Sequence, residues 1–263
     1  MDARDIARQL ATDAPCRLRV VSRISYFSRN GDLIMFTHPS HVTPTGILLA
    51  LGASCLTAEF AGYWLHRLLH SDKFPFLSQG HLVHHFLIYG PSQAMRHDEY
   101  HDATHGRFSV GNVGLEWLAP SAVILFSCWG IMIAAGVPLV YQAFSLMTLI
   151  AWPVFMFSYL HDRMHLKDFW MARTPVIRIW FCKARRLHDI HHRALNNDGR
   201  MDANFGIGFF WFDRVFGTIG RRHRPFNRTG LQSAMDRYGL LERDGNLELS
   251  TEARIHAAQG KHG

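Results

Sequence analysis

The sequence predicts an all-α integral membrane protein whose helical cap, on the cytosolic face, holds a histidine-rich dimetal site. Three observations predict it. Residues 117–161 are 45 consecutive positions without Asp, Glu, Lys or Arg. Residues 46–65 are twenty positions with one charge, Glu59. Histidine is abundant, 18 against 21 Asp+Glu, and ten of the eighteen fall in short groups just beyond those apolar segments. The mean hydropathy of −0.04 hides this pattern because it averages apolar segments with a polar remainder. A hydrophobic fraction of 48% and a charged fraction of 19% exclude a disordered chain. The four cysteines, Cys16, Cys55, Cys128 and Cys182, form no C-x-x-C pair, which excludes a disulfide scaffold and a thiolate zinc finger.

Residues 1–30 carry six Arg and three Asp and lack the apolar core of a signal peptide, so 1–45 reads as a basic, interfacial segment. The first membrane segment, 46–65, opens after Thr43-Pro44-Thr45 and ends in Tyr63-Trp64, aromatics suited to a bilayer interface. A bilayer core of about 30 Å takes about 20 helical residues, so 117–161 is long enough to cross twice. Pro138, after Ala134-Ala135-Gly136, marks the turn, giving a hairpin of 116–136 and 139–160. Of the 28 Lys and Arg, 18 lie after Asp162, which by the positive-inside tendency places that part in the cytoplasm. A single crossing by 46–65 then puts the N-terminus on the opposite side, unless 46–65 is partly re-entrant or 33–45 joins the membrane. Two, three or four spans are compatible with the pattern. The net charge of +7 suits anionic lipid head groups and not nucleic acid, for which there is neither zinc-finger spacing nor an aromatic RNA-binding signature.

The ten grouped histidines repeat one pattern twice. His66 and His70 form H-x-x-x-H, and His81, His84 and His85 form H-x-x-H-H. His161 and His165, then His188, His191 and His192, repeat both spacings beyond the hairpin. On a helix, residues i and i+3 or i+4 share a face, so two imidazoles converge on one ion. Five histidines per repeat suffice to help hold two neighbouring metals. Because the two ends of a hairpin lie on one side, all four groups are expected at one membrane face. Imidazole suits zinc, copper, iron and nickel, so ligand type alone does not select the metal. Asp162, Asp189 and Asn204 stand near the ligands as candidates to orient them.

From Glu59 to Thr218 these histidines, with Asn204-Phe205-Gly206 and Trp211-Phe212-Asp213-Arg214-Val215-Phe216-Gly217-Thr218, resemble the membrane-bound fatty acid hydroxylase/sterol desaturase superfamily. The resemblance implies an all-helical catalytic domain over 46–220, with 221–263 as a charged tail. It implies that His66, His70, His81, His84, His85, His161, His165, His188, His191 and His192 bind two iron ions, for which zinc can substitute on isolation. It implies O₂-dependent hydroxylation, or alternatively desaturation, of a fatty acyl, sterol or isoprenoid C–H bond. The first group is one residue tighter than fatty acid 2-hydroxylases tend to have. No cytochrome b5-like module accompanies it, since His38-Pro39-Ser40 lacks the Gly-Gly of a haem motif, and no G-x-G-x-x-G is present. Electrons therefore have to come from a separate partner: a cytochrome b5, a ferredoxin or a reductase.

Two other classes compete. A His-zinc membrane hydrolase needs about three ligands and an open position, fewer than the ten here. A metal transporter needs ligands within the spans, whereas these lie at their ends. His97, His101 and His105 make an i, i+4, i+8 stripe beside Asp98 and Asp102, which reads as a polar segment over the site or an accessory metal feature. The aromatics from Phe205 to Phe216 are expected either to line a lipid access route or to anchor the domain at the interface. His223, His256 and His262 lie in the charged tail, with no specific role expected.

Overall fold

The computed structural model describes residues 42–238 except 72, 92–93, 98–108 and 111–112, together with the backbone of four short strands between 19 and 41. The expectations for residues 1–18 and for His101, His105, His256 and His262 lie outside the described residues. The chain divides into two compact units, 1–54 with 128–148 and 55–127 with 149–263.

In the first unit β1 (Arg19–Val21) pairs antiparallel with β4 (Pro39–His41), and β2 (Ile24–Phe27) with β3 (Leu33–Phe36). These ladders, and a two-residue pair of β5 (Ser109–Val110) with β6 (Val113–Gly114) in the second unit, are additions to an otherwise helical chain. Helix α1 (Pro44–Leu69) begins in the first unit, where Thr43 Oγ1 accepts from the Gly46 amide. Helix α2 (Pro75–Val83) belongs to the second unit. Helices α3 (Leu115–Ala134) and α4 (Leu139–Met164) meet in the first unit at the predicted turn. There Gly136 takes φ 64°, and the amides of Val137 and Gly136 return to Met132 and Ile133, closing the end of α3. Gln142 is buried but fully engaged: its amide donates to the Val137 carbonyl and its oxygen accepts from Trp129.

Among the described residues three helices are long and apolar enough to cross a membrane: α1, residues Trp117–Ala134 of α3, and α4. At 1.5 Å per residue, the 26 residues of α1 and of α4 span about 39 Å each. Their outward side chains are apolar, with Leu48, Val123, Phe126 and Ile131 all more than 60% exposed, as lipid contact requires. Tyr63 departs from the expected interfacial role. It is buried and stacks on Phe216 at 5.2 Å, and its hydroxyl pairs with Thr218.

The second unit encloses the histidines between two apolar clusters. One joins Leu82, Val83, Phe86 and Tyr89 to Leu195, Met201 and Phe205; the other joins Met156, Leu160 and Met164 to Phe169, Phe181, Ile190 and Phe210. Two helices widen to π-turns beside the histidine groups, at His84–Ile88 after α2 and at Val154–Leu160 within α4. The second follows Pro153, which offers no N–H and crowds the preceding turn. Helix α5 (Pro175–Arg193) starts with proline at its first position and buries Phe181, Ala184, Leu187, His188, Ile190, His191 and His192 on one face. Short α6 (Trp211–Val215) and α7 (Arg228–Tyr238) complete the unit.

Candidate metal centre

The structure brings all ten grouped histidines together, each no more than 7% exposed. His66 and His70 come from the end of α1, His81 from α2, and His84 and His85 from the π-turn that follows it. His161 and His165 come from the end of α4, and the last three from α5. Nitrogens of His66, His70, His81, His85 and His191 lie within 4.8 Å of one another, as do those of His84, His161, His165 and His188. His192 joins His84 and His85 in a third such set, its ring stacked on His85 at 4.0 Å between centroids.

The partition between the two groups was not anticipated. Each H-x-x-H-H triplet is divided: His84 leaves its own repeat to join His161, His165 and His188, and His191 leaves its own to join His66, His70, His81 and His85. Part of the signal was present in the spacing, because adjacent helical residues diverge by about 100°, although His84 and His85, on the π-turn, still share the third set with His192.

These donor sets fit metal ions. Nitrogens about 2.1 Å from a shared ion and at right angles lie about 3 Å apart. His70 Nε2 lies 3.0 Å from Nε2 of both His191 and His81, and His188 Nε2 lies 3.1 Å from His165 Nε2. His66 Nε2, His161 Nε2, His192 Nε2 and both nitrogens of His85 are buried without a hydrogen-bond partner. Each such atom costs about 1–3 kcal/mol unless something else satisfies it, and several in one cluster point to ligation. Burial holds His81, His84, His85, His165, His188 and His192 well below the ordinary imidazole pKa, and His191 at about 4. They are therefore neutral near pH 7, the state that binds a metal.

Ring orientation is set by backbone carbonyls. His66 Nδ1–H donates to Phe205 O at 2.6 Å and His191 Nδ1–H to Ala203 O at 2.6 Å. His165 Nδ1–H donates to Ala94 O at 2.7 Å and His192 Nδ1–H to Tyr89 O at 2.8 Å. In each ring this turns the Nε2 lone pair inward. The carboxylates proposed from sequence serve less. Asp162 approaches His161 Nδ1 at 3.6 Å, but Asp189 faces Arg193 and His223. The Asn204 side chain instead binds Leu187 O, Gly220 O and the Gly220 amide. No feature of the sequence identifies carbonyl partners 12 to 139 positions distant. His97 lies apart on the surface, its Nδ1 beside Asp168 at 3.2 Å, with both side chains over 70% exposed.

An apolar pocket opens beside the five-histidine group, lined by Ala58, Ala61, Gly62 and Leu65 of α1, Trp117 and Ile124 of α3, and Phe157 of α4. The Trp117 ring, on the pocket wall, reaches His66 and His81 at 6.1 and 6.0 Å. None of the six aromatics between Phe205 and Phe216 lines this pocket. Phe205 is buried against His66, His70 and His191, whereas Trp211 and Phe216 are exposed.

A family model described as fatty acid hydroxylase matches residues 51–218, a stretch that contains all ten histidines, Asn204 and Asp213. No curated protein and no solved structure matches the chain.

Proposed function

Because the chain belongs to the fatty acid hydroxylase family, we propose that it is a membrane-bound non-haem di-iron oxygenase that hydroxylates a C–H bond of a lipid. The observation that carries the reading is the pair of interlocked, buried, all-imidazole groups beside an apolar pocket at the membrane-crossing helices. His66, His70, His81, His85 and His191 would hold one metal. His84, His161, His165 and His188 would hold the other, with His192 beside both. When bound, two irons supply the redox chemistry with O₂ that an unactivated C–H bond demands and that no acid, base or nucleophile of the chain offers.

The chain supplies position and surroundings. The pocket wall of α1, α3 and α4 receives an acyl, sterol or isoprenoid chain from the bilayer, and Trp117 guides one carbon towards His66 and His81. The flanking apolar clusters keep bulk water from the reacting carbon. Four carbonyl acceptors fix four imidazoles in the tautomer that presents Nε2. The histidine-bearing side faces the cytoplasm, as the 18 Lys and Arg beyond Asp162 favour. A separate electron-transfer protein, a cytochrome b5, ferredoxin or reductase, delivers electrons there.

Purified protein with iron, O₂ and a reductant is expected to add one oxygen to a lipid, read by mass spectrometry. His84→Ala or His191→Ala is expected to lose metal and activity together; full activity in both variants would refute the assignment. Zinc-dependent turnover without O₂ would replace it with hydrolysis.

A further inference from the structure

We infer that Asn204 and Asp213 are positioning residues for the five-histidine centre, and that Arg96 plays the corresponding part for the other centre. The inference rests on the histidine groups binding metal, as proposed above.

The two carbonyls that orient His66 and His191 belong to Phe205 and Ala203, on either side of Asn204. This segment is fixed from both ends. Asn204 takes φ 61°, a left-handed conformation that asparagine tolerates better than most residues. Its amide nitrogen bonds Thr218 O at 3.0 Å, and its side chain makes three bonds of 2.8–2.9 Å to Leu187 O, Gly220 O and the Gly220 amide. Buried Asp213 accepts the amides of Phe205 and Gly206, one on each oxygen, at 2.8 Å, and the Thr218 hydroxyl at 2.8 Å. Position 206 excludes a side chain, since a Cβ there would stand 2.9 Å from that carboxylate and 2.6 Å from Phe209 O. Every one of these bonds bears on the Ala203–Phe205 carbonyl pair, and that pair serves only members of the five-histidine group.

The other carbonyl pair, Tyr89 and Ala94, serves His192 and His165. Arg96 ties this side. Its guanidinium donates to Ile88 O at 2.7 Å and lies over the Tyr89 ring at 5.5 Å, and its amide bonds His165 O at 2.8 Å. The Tyr89 ring in turn stacks on His165 at 4.0 Å. The five-histidine group thus has a carbonyl pair of its own, whereas in the other pair Ala94 serves His165 of the second group and Tyr89 serves His192, which adjoins both.

The test is metal content under chelator challenge, with the Mössbauer spectrum of the iron-loaded protein and the melting temperature of the metal-free protein as further readouts. Wild-type protein is expected to hold two metals per chain. Asn204→Gly keeps the left-handed backbone accessible, and Asp213→Asn keeps side-chain size. Both are expected to release one metal about 10- to 100-fold more readily, the effect usual for loss of an outer partner, and to lose one of two iron signals. Arg96→Gln is expected to lose the other signal, and Asn204→Gly with Arg96→Gln both. Variants that keep both metals at wild-type affinity, or that lose the two in parallel with a fall in metal-free melting temperature, would overturn this assignment alone. Wild-type protein that binds no metal would overturn it together with the reading beneath it.

Discussion

Gly62 offers a test of the pocket that does not depend on chemistry. It lies on α1 at the pocket wall, and a Cβ built there overlaps the Phe157 ring, two of whose carbons would stand at 2.5 and 2.6 Å. Phe157 has little room to retreat: it is 9% exposed, and the Trp117 ring stands 5.7 Å away. Gly62→Ala therefore sets two effects against each other. Alanine gains up to about 1 kcal/mol over glycine inside a helix. Forcing a methyl into a filled site costs about 1–3 kcal/mol. With the full helix gain the net is a loss of up to about 2 kcal/mol, or up to roughly 8 °C of melting temperature for a chain of this size. Gly52 of the same helix is the control, since a Cβ there meets nothing within 4 Å and only the helix gain applies. Thermal unfolding in detergent should show Gly52→Ala at or above wild type and Gly62→Ala below it, with Phe157→Leu restoring part of the loss in the double variant. Gly62→Ala melting as high as Gly52→Ala, or no recovery on trimming Phe157, would refute the close packing of α1 on α4 at this site.

Acidification should weaken the metal-free protein over a defined window. Burial holds His191 at about 4 against 6.5 in the unfolded chain, so below pH 6.5 the unfolded state takes up a proton that the folded state refuses. Stability is then intact above 6.5 and falls as pH drops towards 4, by on the order of 3 kcal/mol from His191 alone; a melting temperature flat across that range would contradict the burial of the cluster. Stripping the loaded protein with a chelator should lower its melting temperature, and returning iron should restore it with the logarithm of free metal, because a ligand bound only by the folded state stabilises it. No shift on either step would sink metal binding at the histidines.

The membrane segments were legible because their signal is local. The hairpin predicted as 116–136 and 139–160 corresponds to α3 ending at Ala134 and α4 starting at Leu139, with the turn at Gly136 and Pro138. The segment predicted as 46–65 proved longer. Helix α1 runs through polar His66 and Arg67 to Leu69, because the second unit packs round its end and buries Leu69 and His66 completely. Apolar composition cannot reveal such an extension. The histidines were likewise legible as a set, from spacing alone. What orients them was not, because Ala203, Phe205, Tyr89 and Ala94 act through main-chain carbonyls, which no side-chain pattern encodes. Asp213 lay in plain view in Trp211-Phe212-Asp213-Arg214, but its importance follows from the amides it gathers, and those exist only once the loop is folded.

The division of the triplets gives the duplicated pattern its meaning. Residues i and i+4 of a helix share a face, whereas i+3 and i+4 diverge. In His81, His84 and His85 the outer pair therefore stays with His66 and His70, and His84 turns to the second group. In His188, His191 and His192 the middle residue again crosses, to the first group, while His192 sits against His84 and His85. Neither repeat can assemble its group alone: the first lends His84 and borrows His191. Two separate sites, one per repeat, would need only H-x-x-x-H with further histidines on one face of the next helix. A doubled histidine in each repeat suits two adjoining groups, because the π-turn after α2 and the end of α5 then each present imidazoles in two directions at once. Each group thus needs histidines from both sides of the apolar hairpin, which ties the assembly of either to the return of the chain through it.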